Sequence, residues 1–212
     1  MPVAHRRARA HEVRVRRAVE ADLPEVRTIV ARAYRQYRRV LGGEVFSRYL
    51  DDLLDLDRHR THGQLLVAEL HGVVCGAVAY YPEASVQGIG WPDGWASGRG
   101  LAVDTPTRGL GVAEALTRAV QRRARADGAP VFAFHTAAFM HGARALYDRL
   151  GFERAPEFDV DLREYLGLGH DRPVPTLAYL RRLNAGIESQ PEELASGAGR
   201  YVGELAADLG AR

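Results

Sequence analysis

The chain has 212 residues, 46% of them hydrophobic and 26% charged, with a formal net charge of +2. That composition is ordinary for a soluble protein and supports one well-buried domain, with nothing that suggests a second. The single cysteine, Cys75, excludes an internal disulfide, and no segment reaches the ~18 consecutive apolar residues of a membrane span.

In chain order, residues 1–12 form a basic arm carrying Arg6, Arg7 and Arg9, without the apolar run of a signal peptide. A cytoplasmic location is therefore expected. Nucleic-acid binding through the arm is not, because a charge run is ordinarily a solvated tail. A domain is expected over 13–183, beginning with a strand over 13–17 and helices over 21–40 and 44–56. Strands follow over 64–70 and 73–81, joined by His71-Gly72 as a tight antiparallel hairpin. Cys75 lies within the second apolar run and reads as a buried structural thiol. A strand over 95–103, a helix over 110–126, a strand over 131–136 and a helix over 141–150 come next. A strand pair around Phe152 and 176–181 completes the domain. The remainder, 184–212, is rich in Gly, Ala, Ser and Glu and reads as a mobile C-terminal tail.

Residues 99–116 are the most informative stretch: a short apolar strand, a turn carrying Pro106, Gly109 and Gly111, and a helix start in immediate succession. The first backbone N–H groups of a helix lack internal partners and lie at the positive end of its dipole, so they hold a diphosphate where no side chain blocks the approach. Gly109, Gly111 and Ala113 remove that obstruction. A P-loop would need Gly-Lys-Ser/Thr, yet Val112 and Ala113 follow Gly111 and the chain has no lysine. A dinucleotide fingerprint would place a small residue where Glu114 stands.

What remains is Arg108-x-x-Gly111-x-Ala113, which resembles the Arg/Gln-x-x-Gly-x-Gly/Ala motif of the GNAT superfamily of N-acetyltransferases. Downstream, Ala145-Leu-Tyr-Asp-Arg-Leu-Gly-Phe152 resembles the second signature of that family, Ala-x-x-Leu-Tyr-x-x-x-Gly-Phe. The resemblance implies an α/β (α+β) fold with a mixed central sheet flanked by helices, whose two central parallel strands splay apart to admit pantetheine. It implies an acetyl-CoA-dependent N-acetyltransferase acting by direct attack of a primary amine of a small molecule or peptide, with no metal. It further implies that the main chain of Leu101, Ala102 and Val103 pairs with the pantetheine amides. Arg108, Gly109, Leu110, Gly111, Val112, Ala113 and Glu114 would hold the pyrophosphate. Tyr147 would be the general acid, since a phenol with a reference pKa near ~10 can protonate a thiolate whose thiol is near ~8.5.

Three matters stay open. No carboxylate sits on the strand before the phosphate loop, so a water-mediated mechanism without a side-chain base is expected, with Glu83 and His135 as the alternatives. Met140 replaces an asparagine frequent in the family, which leaves room for a non-catalytic acyl-CoA-binding sensor or interaction module as the second reading. Tyr34, Tyr37, Tyr49, Trp91 and Trp95 either wall the acceptor pocket or pack as core. The long connection 155–175 is expected to be ordered, with Glu157, Asp159, Asp161 and Glu164 forming a negative rim for a cationic acceptor. A homodimer is neither required nor excluded.

Overall fold

The computed structural model describes residues 13–169 and 172–183. The basic arm 1–12 and the tail 184–212 lie outside the described residues.

The chain opens with β1 (Val13–Arg17) and α1 (Leu23–Tyr34), whose Pro24 stands in the first turn, where its missing N–H costs nothing. Leu23, Val26, Ile29, Val30, Ala33 and Tyr34 are buried along one stripe of α1. The single helix expected over 21–40 is divided. A 3-10 turn at Arg35–Tyr37 separates α1 from α2 (Arg38–Leu41), and Gly42 ends α2 with φ of +78°. The second expected helix is also divided, into α3 (Gly43–Leu54) and α4 (Leu56–Thr61). Asp55 leaves helical geometry and its side chain accepts the backbone N–H of Arg58, so it caps a helix that apolar periodicity alone had merged with the one before.

The hairpin of β2 (Gln64–Leu70) and β3 (Val73–Tyr81) turns on His71 and Gly72, both with positive φ, as a two-residue hairpin turn requires. Then come β4 (Ala96–Val103), α5 (Val112–Ala126), β5 (Val131–Ala137) and α6 (His141–Arg149). After β6 (Glu153–Arg154), the described part of the long connection carries β7 (Val160–Asp161) and α7 (Leu162–Tyr165) before β8 (Pro175–Arg182).

The strands form one mixed sheet in the order β1-β2-β3-β4-β5-β8-β6, with β7 also on β8. Among the described residues only β4 and β5 run parallel. One face is covered by α5 and α6, which pack Leu116, Val120, Leu146 and Tyr147 against Val78, Phe132 and Phe134. The other is covered by α1, α3 and α4, with Ile29, Val30, Leu53 and Leu56 over Val67, Ala77 and Tyr81. Among the described residues no helix is long and apolar enough to cross a membrane. Cys75 is buried, its thiol directed to the Ala68 carbonyl, and burial pushes its pKa up, which fits the structural reading.

Candidate active site

The sheet opens at its centre. The parallel strands pair at Ala96↔Phe132, Ser97↔Ala133 and Gly98↔Phe134, and the pairing stops there, although β4 runs on to Val103 and β5 to Ala137. Among the described residues, the edge of β4 that faces β5 has no strand partner beyond Gly98. On this edge, therefore, ordinary strand pairing does not use up the backbone groups of Leu101, Ala102 and Val103.

A β-bulge sits at the same place. Arg99 opposes Ala79 and Ala102 opposes Ala77, so Gly100 and Leu101 share the position opposite Val78. Gly100 takes φ of +65°, a conformation that favours glycine. The extra residue resets the alternation: Leu101 and Val103 lean toward the α5 face, and Ala102 toward the α1 face. Two glycines within one apolar strand were the sequence signal for this bulge.

Past Val103 the chain turns into α5. Asp104 fixes the turn by accepting the N–H of Thr105 at 3.0 Å and two bonds from Arg32. Gly109 and Gly111 have φ of +79° and +86°, and a Cβ added at either would meet nothing within 4 Å, so the approach to this helix start is open. Gly111 is its N-cap and no side chain caps it. Val112 is buried against Gly76, where a Cβ would come within 2.8 Å of it; α5 thus seats closely on β3. Ala113 is half-buried and Leu110 lies in the turn. Glu114 is turned along the helix and accepts Arg118 Nε at 2.9 Å. The Arg108 side chain points elsewhere, reaching Ala33 O and Gln36 Oε1 at the end of α1 at 3.3 and 3.4 Å.

Between the splayed strands lies a cleft of about 690 Å³, counting its mouth. Residues 98–101 and 134–137 line it, together with Tyr34, Tyr49, Met140, Val160, Leu162 and Tyr165. Tyr147 lies beneath it. Its ring stacks on Phe134 with centroids 4.9 Å apart, and it is 2% exposed. Burial pushes its phenol well above the usual tyrosine range, and the nearby Tyr49 adds to this, so the hydroxyl stays protonated at ordinary pH. Tyr147 belongs to the α6 face and packs against Phe134, Phe152 and Tyr179, whereas Tyr49 belongs to the α1 face and packs against Tyr34.

The side chains near the base position are otherwise engaged. Glu83 accepts the N–H groups of Ser85 and Gly94 and the Ser85 hydroxyl, holding the loop before β4, and lies outside the cleft. His135 does line the cleft. Its Nε2 is 2.8 Å from the Phe158 carbonyl, which only an Nε2–H can satisfy, and this leaves Nδ1 as a buried lone pair without a partner. Burial lowers its pKa to about 4, Arg99 adding to the effect, so the ring is neutral at ordinary pH. Trp91 stacks on this imidazole at 4.1 Å and packs near Trp95; the two indoles support His135 from outside the cleft instead of walling it. Tyr37 likewise packs on Phe139.

Two of the four acids expected in the negative rim, Asp159 and Asp161, are engaged within the connection itself. Asp159 is held by Arg154 and accepts the N–H of Ala178 at 2.8 Å, and Asp161 accepts the N–H groups of Arg163 and Val174. These carboxylates order the connection; its apolar Val160 and Leu162 and the ring of Tyr165 reach the cleft. The charge that does line the cleft is Arg99, whose guanidinium pairs with Asp52 of α3. Sequence reading passed over this pair because 47 residues separate its members.

Against known proteins, residues 23–152 match the family model described as Acetyltransferase (GNAT) family. The mouse protein named Probable N-acetyltransferase family 8 member 5 is 31% identical over 129 residues, covering 57% of this chain and 55% of that protein. The chain thus matches about half the length of that curated relative. An N-acetyltransferase from Staphylococcus aureus Mu50 superposes with a TM-score of 0.57 at 19% identity, covering 81% of this chain and 98% of that one. A GNAT family acetyltransferase from Brucella melitensis in complex with acetyl-CoA gives 0.51 at 23% identity, covering 68% and 84%. With the split sheet and the open glycine turn already in view, the match over most of the domain makes the chain a member of the GNAT acetyltransferase family.

Proposed function

We propose that this protein moves an acetyl group from acetyl-CoA to the primary amine of a small molecule. The observation that carries the reading is the unpaired edge of β4 past Gly98, which runs directly into the open, glycine-lined start of α5. An extended chain bearing amides fits the first and a diphosphate fits the second. In complex with the Brucella melitensis neighbour stands acetyl-CoA itself.

The residues fit this donor. The main chain of Leu101, Ala102 and Val103 would pair with the pantetheine amides, and residues 108–114 would hold the pyrophosphate through backbone N–H groups. Glu114, drawn toward Arg118, presents less negative charge to that anion. Acetyl-CoA supplies a thioester whose C–S bond breaks as the amine N–C bond forms, so one proton leaves the amine nitrogen and one reaches the thiolate. Backbone donors fixed at the Gly100 bulge are oriented beforehand toward charge developing on a carbonyl oxygen. Tyr147 Oη is the candidate proton donor to sulfur; burial raises its pKa, so it serves only where the bound donor seats the sulfur against its hydroxyl. No carboxylate lines the cleft among the described residues, and His135 is too weakly basic to hold the amine proton, so water carries that proton away.

Calorimetry with CoA, paired with a thiol-release screen over a broad amine panel, tests the reading. Micromolar CoA affinity with turnover of at least one amine is expected. Binding without turnover across the panel would overturn it in favour of an acyl-CoA sensor.

A further inference from the structure

Arg99 is the one cleft-lining side chain with a full charge among the described residues, since His135 is neutral. It stands immediately after Gly98, the last residue of β4 paired with β5, so it flanks the point where the strands part. Its side chain is only 11% exposed.

The surrounding charges leave this cation in excess. Asp52 Oδ2 takes Arg99 Nη2, while Asp52 Oδ1 takes both Arg58 Nη2 at 2.5 Å and the Tyr165 hydroxyl at 2.8 Å. One carboxylate therefore serves two guanidiniums. The second acid near Arg58, Asp55, is half-exposed at 3.8 Å and is paired only with Arg58. Arg99 Nε is buried with no partner. The Tyr165 ring lies 5.0 Å from the guanidinium carbon, and among the described residues the other groups that act on Arg99, Tyr49 and His59, bring no negative charge. A buried cation that is only part-compensated is costly unless something else completes the pair. Thr136 Oγ1 and His135 Nδ1, in residues that line the same cleft, are also buried without partners among the described residues, so three unmet polar atoms belong to the residues around this cleft.

The donor's phosphates are not that ligand. Arg99 lies four residues before Val103, about 13 Å back along the strand from the turn that leads into α5. Resting on the transferase reading above, we propose that the acceptor is a small amine bearing a carboxylate near its nitrogen, as in a free amino acid, with the carboxylate seated on the Arg99 guanidinium. A single excess positive charge suits a monoanion, and a planar carboxylate suits a guanidinium with unoccupied N–H groups. The depth of Arg99 requires the anion to be the leading, terminal group of a small molecule.

The test uses the full chain saturated with CoA. N-acetyl-L-leucine and N-acetyl-L-phenylalanine are titrated calorimetrically beside N-isopentylacetamide and N-phenethylacetamide, the same molecules without the carboxylate. At least tenfold tighter binding of the acids is expected for one pair or both. Arg99→Lys should weaken that preference several-fold. Arg99→Gln combined with Asp52→Asn, which removes both members of the buried pair, should abolish it, with thermal unfolding confirming the fold. Equal affinities, tighter binding of the uncharged amides, no binding of any probe, or a preference that survives in the folded double variant would each overturn the assignment. In all of these CoA still binds and the transferase reading stands; failure of CoA to bind the wild type would instead sink that reading. If the double variant does not fold, the wild-type preference together with its loss in Arg99→Lys decides.

Discussion

The ring of Phe134 lies directly over the bare backbone of Gly98, and these two residues form the last pair that joins β4 to β5. A Cβ at position 98 would overlap the ring. The ring cannot easily yield, because Tyr147 stacks on it at 4.9 Å and Phe132 meets it edge-on at 5.1 Å. Gly98→Ala should therefore overpack the core at the apex of the split and destabilise the protein by about 1–3 kcal/mol. Thermal unfolding checks this; an unchanged midpoint would mean the aromatic stack repacks freely.

At the other end of the donor site, Gly111→Asp should abolish CoA binding in a folded protein. Nothing lies within 4 Å of a Cβ there, so the side chain fits, and its charge occupies the anion's place. Gly111→Asn carries the same positive-φ strain without the charge and should retain measurable affinity. Equal affinities of both variants would remove the electrostatic argument, and wild-type affinity in Gly111→Asp would remove the phosphate-loop assignment.

Tyr147→Phe should lower kcat by roughly 10²-fold with little change in KM for acetyl-CoA, as befits loss of a proton donor whose ring still packs on Phe134. Steady-state kinetics on the first amine found to turn over is the measurement. A lowered unfolding midpoint with normal kcat would instead make Tyr147 a core residue only.

Two buried histidines make stability pH-dependent. His59, between Tyr81 Oη and the Leu53 carbonyl, is lowered to about 4 by burial, with Arg99 and Arg58 adding to it, and His135 is likewise lowered to about 4. Both bind protons more readily unfolded than folded, so stability should be full above about pH 6.5 and decline as pH falls toward 4. Each contributes about 1.4 kcal/mol per pH unit within that window. The carboxylates held low by arginines, Asp22, Asp52 and Asp159, lose their contribution only further down. Unfolding free energy measured from pH 7 to 4.5 should show this slope, roughly halved in His59→Gln; a flat profile would mean water reaches both rings.

The sequence by itself determined the elements whose cause is local. Alternation and 3.6-residue periodicity located β1 to β5, α5 and α6, because each buries one face against a sheet, and His71-Gly72 set its hairpin through backbone conformation alone. The glycine turn before α5 and the Ala145–Phe152 signature carried the family for the same reason: their chemistry lies in consecutive residues. Breaks such as Tyr34–Arg38 and Asp55 were less legible, since the apolar stripe runs through both and only capping geometry ends the helices.

The tertiary structure decided what depends on distant partners. Parallel pairing that stops at Gly98 is a property of two strands, and no single strand's sequence announces it. Asp159 and Asp161 look like free acids in the chain, yet the fold spends both on backbone N–H groups. Arg99 stands in an otherwise largely apolar strand, and only the packing of α3 and α7 against β4 made it a buried cation that shares Asp52. A residue's type fixes which bonds it can make. Which partners arrive, and which charge is left over at the cleft, follows from the packing of segments far apart in the chain.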